Sequence, residues 1–329
     1  MSRRRTGAIA IGVGAATAVV LLLAGAKTPV VIGSSAALGI AGGVAAAIGS
    51  RLTLSALKKT PGIEIKSARE IEIMRMAGKI VATVLTEIND LVQPGMTTLD
   101  LDKYAENRIC AMGGVPAFKE FDNYPASTCI SINNEVVHGI PNSRVIIKDG
   151  DLVKIDIGVC LNGYHCKSCI SICVGSAGEK AMNLSNVTQK ALYAALLKIK
   201  PGNTLLDIAG AIEDVALENG FKVVEDYCGS GVGRNLFEDP FVFNFRTDDL
   251  PNIVLREGMT LAIYPIVNCG SNRCRTLRDG FTVVTQDGGL SAAWEHVIVI
   301  VDGGIEILTD RGDTKDAMDD YAKTLNIKA

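Results

Sequence analysis

The 329-residue chain has no acidic residue before Glu64, no charge of either sign from Thr6 to Ala26 or from Val30 to Ser50, and only one tryptophan. Its net charge of −3 lacks the basic excess that marks a nucleic-acid surface, so no direct nucleic-acid binding is expected. Its nine cysteines are odd in number and too sparse for a disulfide scaffold. Most lie in apolar runs such as ISICVG (170–175), where free thiols pack as small hydrophobes, and this points to a reducing compartment for the main domain.

The two uncharged stretches have a consequence of their own. Each is 21 residues long, close to the roughly 20 apolar residues a helix needs to cross a hydrocarbon core. Arg3, Arg4 and Arg5 precede them, Arg51, Lys58 and Lys59 follow, and only Lys27-Thr28-Pro29 separates them. The basic flanks predict a hydrophobic helical hairpin, 6–26 and 30–50, with both outer ends on one cytosolic or matrix-like side. Gly39 and Gly43 would let its helices approach closely. Residues 1–59 thus read as a membrane-anchor or targeting segment. Ala24-Gly25-Ala26 also resembles a signal-peptidase site, and the missing acidic residues suit a transit peptide, so cleavage and organelle targeting are the alternatives.

Beyond Ile63 the chain repeats itself. LVQPGMTTLDLDKYAENRICAMGG (91–114) pairs with LKIKPGNTLLDIAGAIEDVALENG (197–220), Pro94 answering Pro201 and Asp100 answering Asp207. In each, a helix stops at Pro-Gly and a threonine caps a second helix that ends at glycine. GDLVKIDIGV (150–159) pairs with GMTLAIYPIV (258–267), both of strand type. These are two copies of one unit, too long for a solenoid repeat. They predict an α+β domain (60–310) of two pseudo-symmetric halves, followed by a tail (311–329). Asp156 and Tyr264 occupy equivalent places and should face one central cleft, a common ligand site.

The blocks YPASTCISINNEVVHGIP (124–141), GDLVKIDIGVCLNGYHCKSCISICVG (150–175), YCGSGVGRNLFEDP (227–240), REGMTLAIYPIV (256–267) and SAAWEHVIVIVDGGIEILT (291–309) closely resemble, in order, those of type I methionine aminopeptidases. The resemblance implies the pita-bread (creatinase/aminopeptidase) fold. It also implies two divalent metals held by two aspartates, a histidine and two glutamates.

Carried over one by one, those ligand positions are Asp156, Lys167, Ser230, Tyr264 and Glu295, of which only Asp156 and Glu295 keep the family's residue. Two-metal hydrolysis needs bridging carboxylates to hold ions about 3.5–4 Å apart, and Lys167 would put an ammonium where a metal belongs. The expectation is that Lys167 pairs with Asp156 and Glu295 in the cations' place, and that no cofactor is bound. The cysteines do not rebuild the site, because Cys166 and Cys169 point to opposite faces of a strand.

His138 matches the histidine that assists the transition state in the family, and is expected to be vestigial. His165 and His296 read as structural. Phe121, Tyr124, Cys129, Leu236 and Phe281 fall on the wall of the family's methionine pocket, with Phe237 in place of a histidine. Arg311-Gly312-Asp313 reads as incidental.

Together these expectations describe a membrane-anchored, catalytically inactive relative that binds a protein or a peptide terminus. Two alternatives stand beside it. One is a metalloaminopeptidase removing N-terminal methionine through a single metal on Asp156 and Glu295, or through a water activated by His138. The other is a structural subunit of a membrane complex.

Overall fold

The computed structural model describes residues 10–13, 16–21, 30–32, 62–248, 251–312 and 314–325. Helix α1 (Ala68–Leu91) starts at a capping box in which Ser67 and Glu70 satisfy each other's backbone N–H groups. Its apolar residues recur every three or four positions, so Met74, Ala77, Val81, Val84, Leu85 and Ile88 share one buried stripe. After Pro94, Gly95 turns the chain at φ 96°, where a side chain would be strained, and α2 (Thr98–Ala111) begins at a second capping box, Thr97 with Asp100.

The second half repeats this construction. Helix α3 (Glu179–Lys198) is followed by Gly202 at φ 92°, then by α4 (Leu205–Glu218) behind the Thr204–Asp207 box. Even the tethers match. Gly95 N–H donates to the Ile147 carbonyl at 2.8 Å and Gly202 N–H to that of Leu255 at 3.0 Å, while Thr97 pairs with Ile146 and Thr204 with Val254.

Each helix pair covers a sheet. In the first half Leu152–Leu161 pairs antiparallel with Thr128–Ile132 and Val115–Pro116 on one side and Tyr164–Cys173 on the other. Asn162 and Gly163, both at positive φ, make the tight turn between the two long strands. The second sheet runs Glu238–Val242, Gly229–Gly231, Thr260–Ile263, His296–Val301, Gly304–Ile307. One core cluster gathers Val81, Leu85, Ile155 and Ile157, and the other Leu192, Leu196, Leu261 and Ile298. Helix α5 (Thr314–Thr324) buries Met318 and Ala322.

The predicted N-terminal hairpin needs correction. Among the described residues no helix is long and apolar enough to cross a membrane. The described parts of 6–50 are instead three short antiparallel strands, Ala10–Val13, Ala16–Leu21 and Val30–Ile32, and the remainder of the two stretches lies outside the described residues. Short apolar runs rich in valine and isoleucine suit either structure, and periodicity does not separate them. The membrane location inferred from those stretches is withdrawn with them.

Candidate active-site cleft

Asp156 sits mid-strand, opposite Cys129 on one neighbour and Cys169 on the other. Lys167 comes from the partner strand Tyr164–Cys173, and Glu295 from the residue just before His296–Val301, where its N–H donates to the Cys169 carbonyl at 2.9 Å. Ser230 is the middle of Gly229–Gly231. A Cβ on Gly229 would meet the Ala262 carbonyl oxygen at 2.1 Å, and one on Gly231 that of Asp239 at 2.2 Å, so only glycine fits on either side of it. The strand is wedged between its neighbours.

The residues singled out in the sequence therefore meet in one place. Lys167 Nζ donates to Glu295 Oε1 at 2.7 Å, both side chains being buried. Its ammonium also lies 4.8 Å from the Phe237 ring centre and 5.7 Å from that of Tyr264. The expected pairing of Lys167 with Asp156 is only partly met. Asp156 Oδ2 accepts from the Tyr264 hydroxyl at 3.1 Å, as the equivalence of the two positions anticipates, and Lys167 acts on it through space. Asp156 Oδ1 and Glu295 Oε2 are buried without a hydrogen-bond partner.

Burial and the Glu295 charge push Asp156 up to about 8. Burial likewise raises Glu295 against the pull of Lys167. For Lys167 burial opposes the charge, but Glu295 and Asp156 outweigh it and the pKa ends above the ordinary lysine value. His138, at φ 58°, stands edge-on to Tyr227 with ring centres 5.5 Å apart. Burial, then Lys167, brings it down to about 4, so it is neutral at physiological pH.

A cavity of about 180 Å³ opens over these groups. Phe121, Cys129 and Phe237 line it, together with His138, Asp156, Lys167, Ser230 and Tyr264. Tyr124, Leu236 and Phe281 do not line it but pack in one apolar cluster with Phe118, Phe121, Cys129 and Phe237, which do. Tyr124 is locked there by its hydroxyl, which donates to the carbonyls of Thr128 and Gly139, and by Phe281 edge-on at 5.4 Å. Phe118, Val137, Tyr227, Cys228 and Phe241 also line the cavity and were missed. The alternation of FVFNF (241–245) was a usable signal for Phe241, whereas nothing local marks the others.

The remaining motifs resolve as structure. His296 is buried, its Nδ1 2.9 Å from Thr309 Oγ1 and its Nε2 3.3 Å from Arg311. His165 Nδ1 lies 3.2 Å from the Gly233 carbonyl. Arg311 stacks on Trp294 and donates to Ser168, so the Arg-Gly-Asp tripeptide does not present its arginine as a surface ligand. Cys166 and Cys169 enter different core clusters, on opposite faces.

These donors do not fit a pair of divalent metals. Lys167 occupies Glu295 with a like-charged ammonium, Tyr264 and Ser230 are neutral, and burial keeps the Cys129 and Cys228 thiols protonated. No group of three His, Cys, Asp or Glu residues arranged for a metal occurs among the described residues.

The sequence pattern of metallopeptidase family M24 matches residues 72–302. The chain is 46% identical over 248 residues to the methionine aminopeptidase of Clostridium perfringens, covering 75% of this chain and 98% of that protein. It is 43% identical over 252 residues to that of Escherichia coli K12, covering 76% and 95%. A crystal structure of the Thermotoga maritima methionine aminopeptidase superposes with a TM-score of 0.74 at 41% identity, over 75% of this chain and 99% of that one. A Pyrococcus furiosus prolidase shares the fold at a TM-score of 0.61.

These similarities correct three expectations. Similarity over nearly the whole length of named aminopeptidases overturns the inactive binding module and points to an enzyme. The cofactor-free state is no longer expected, because the matching family is one of metallopeptidases. The membrane-bound reading finds no support in them either.

Proposed function

The chain belongs to metallopeptidase family M24, and we propose that it acts as an aminopeptidase on polypeptides that begin with methionine. The observation that carries this is the joining of two environments in one cavity, with Phe121, Phe237 and Cys129 beside Asp156, Lys167 and His138. A flexible apolar side chain such as methionine's suits the first environment, and a scissile peptide bond needs the second.

The residues present divide the work by charge. Lys167 keeps its ammonium and can donate to the oxygen that becomes negative as water attacks the peptide carbonyl. Asp156 has an unpartnered oxygen and a pKa near 8, which suits a group that takes the proton from that water and returns it to the leaving amine. His138, neutral, orients the peptide by hydrogen bonding. The aromatic wall excludes competing water.

The test is release of free methionine from a Met-Ala-Ser peptide by the full-length protein, measured before and after chelation and with added manganese, cobalt or zinc. Release that Asp156→Asn abolishes is the expected result. No release above background under any of these conditions overturns the proposal.

A further inference from the structure

Among the described residues that line the cavity, Asp122 is exposed and the others are buried or half-buried, so Asp122 marks the mouth. Two segments frame that mouth, 118–124 from the first half and 233–241 from the second, and they meet where the ring centres of Phe121 and Phe237 lie 5.5 Å apart. The first segment is firmly held. Glu120 N–H donates to the Tyr124 carbonyl at 2.9 Å, Tyr124 N–H to that of Phe121 at 2.9 Å, and Phe121 N–H to that of Phe118 at 3.0 Å. Glu120, Asp122 and Asn123 take positive φ of 67°, 48° and 65°, uncommon for residues that carry a side chain and sustained here by those bonds. The turn therefore sets where Asp122 sits before any ligand arrives.

The framing segments are acidic. They carry Glu120, Asp122, Glu238 and Asp239 against Lys119 and Arg234, and the two cations make their ion pairs with Glu106 and Glu70. Glu238 is matched by Lys66. Deeper in, Lys167 is matched by Glu295 at 2.7 Å, so it opposes a second cation at the mouth only weakly. Asp156 also lines the cavity, and its buried Oδ1 without a hydrogen-bond partner marks a place that a ligand fills. We propose that Asp122 selects substrates by charge, favouring polypeptides with lysine or arginine as the third residue over those with a neutral or acidic residue there. This deepens the aminopeptidase reading of the cavity and rests on it. The first two residues flank the scissile bond at Asp156 and Lys167, so the third is the first whose side chain can lie at the mouth. A lysine or arginine suits it at both ends, its apolar stem against Phe121 and Phe237 and its charged head at Asp122.

The test uses three peptides labelled at the C-terminus, Met-Ala-Lys-Ser, Met-Ala-Gln-Ser and Met-Ala-Glu-Ser, with anisotropy for binding and chromatography for methionine release. The full-length protein is expected to favour the lysine peptide over the glutamine one about fivefold, as an exposed ion pair allows, and to bind the glutamate one least. The difference should appear in KM and not in kcat, because the third residue lies beyond the reacting bond. Asp122→Asn is expected to bring the lysine-to-glutamine ratio to about one, and Asp122→Lys to reverse the order so that the glutamate peptide binds best. A purely structural role for Asp122 would not reverse it. Equal affinity for the three peptides, or an order that Asp122→Lys leaves as it was, overturns the proposal.

Salt gives a second measurement on the unmutated protein. Raising sodium chloride from about 0.05 to about 0.5 M should shrink the lysine preference towards one, because screening weakens a pair at the mouth. A preference that salt leaves intact overturns the charge selection even if the variants do not fold. The two proposals fail separately. Ranked binding without methionine release leaves Asp122 as the selector and removes the hydrolase, whereas release without ranking does the reverse.

Discussion

Lys167 and Glu295 form a salt bridge of 2.7 Å in which neither side chain is more than 4% exposed. Such a pair contributes little against a well-packed apolar substitute, but removing one partner strands the other charge in the interior. Lys167→Met is therefore expected to cost about 3–5 kcal/mol of unfolding free energy. Lys167→Met with Glu295→Gln should recover most of that. Urea titration of the two variants checks it, and equal losses in both would show that packing, not charge, governs the site.

The three substituted ligand positions predict a gain. Replacing Lys167 by Asp, Ser230 by His and Tyr264 by Glu together supplies the carboxylates and imidazole that the cleft lacks. The triple variant is expected to retain two more equivalents of manganese or cobalt after dialysis than the parent protein, as measured by elemental analysis. An unchanged content would mean that the strands around the cleft, and not these three side chains, set its metal capacity.

Asp156 predicts two opposite pH trends. Its carboxyl, raised by burial and Glu295 to about 8, is ionised only above that pH, so methionine release should rise with pH through about 8. Tyr264→Phe removes a hydrogen bond that favours the ionised form and should move the rise to higher pH. Stability runs the other way. The folded state binds more protons than the unfolded between the ordinary 3.8 and about 8, so this contribution is complete below that window and lost across it as pH rises. A pH–rate profile and unfolding curves over the same range read the two trends.

Lys154 is buried beneath the site, its ammonium donating to the carbonyls of Asn133 at 2.8 Å and Ser291 at 2.9 Å. It joins the turn before Glu135–Val137, which leads to His138, to the strand that leads to Glu295. Burial holds its pKa down at about 7, so its contribution to stability is complete above the ordinary lysine value of 10.5 and is lost as pH falls to about 7. The stability of the parent relative to Lys154→Met should accordingly grow from pH 7 to 10.5. A gap that stays constant with pH would mean that Lys154 is not held as a partly neutral amine.

The two capping boxes should behave alike. Thr97→Ala and Thr204→Ala each remove an N-cap in front of α2 and α4, and each is expected to cost about 1 kcal/mol. Thermal unfolding of the two variants compares the halves directly.

Sequence alone settled what depends on local chemistry and on repetition. Threonine three residues before aspartate started α2 and α4, Pro-Gly stopped α1 and α3, and the equivalence of Asp156 and Tyr264 predicted their meeting across the cleft. The resemblance placed Phe121, Cys129 and Phe237 on the cavity wall. It also led to an inactive, cofactor-free protein, which the length and identity of the similarity to proteins named methionine aminopeptidase corrects.

Tertiary structure decided what depends on depth and direction. It packed Tyr124 and Phe281 against the lining residues without bringing them to the cavity, brought Phe118, Tyr227 and Cys228 to it, and gave the Lys167 ammonium to Glu295 while Tyr264 took Asp156. The physical reason is that composition and periodicity say which face of an element is apolar, but which of several carboxylates an ammonium reaches, and which apolar face stays open, depends on how strands distant in sequence are packed together.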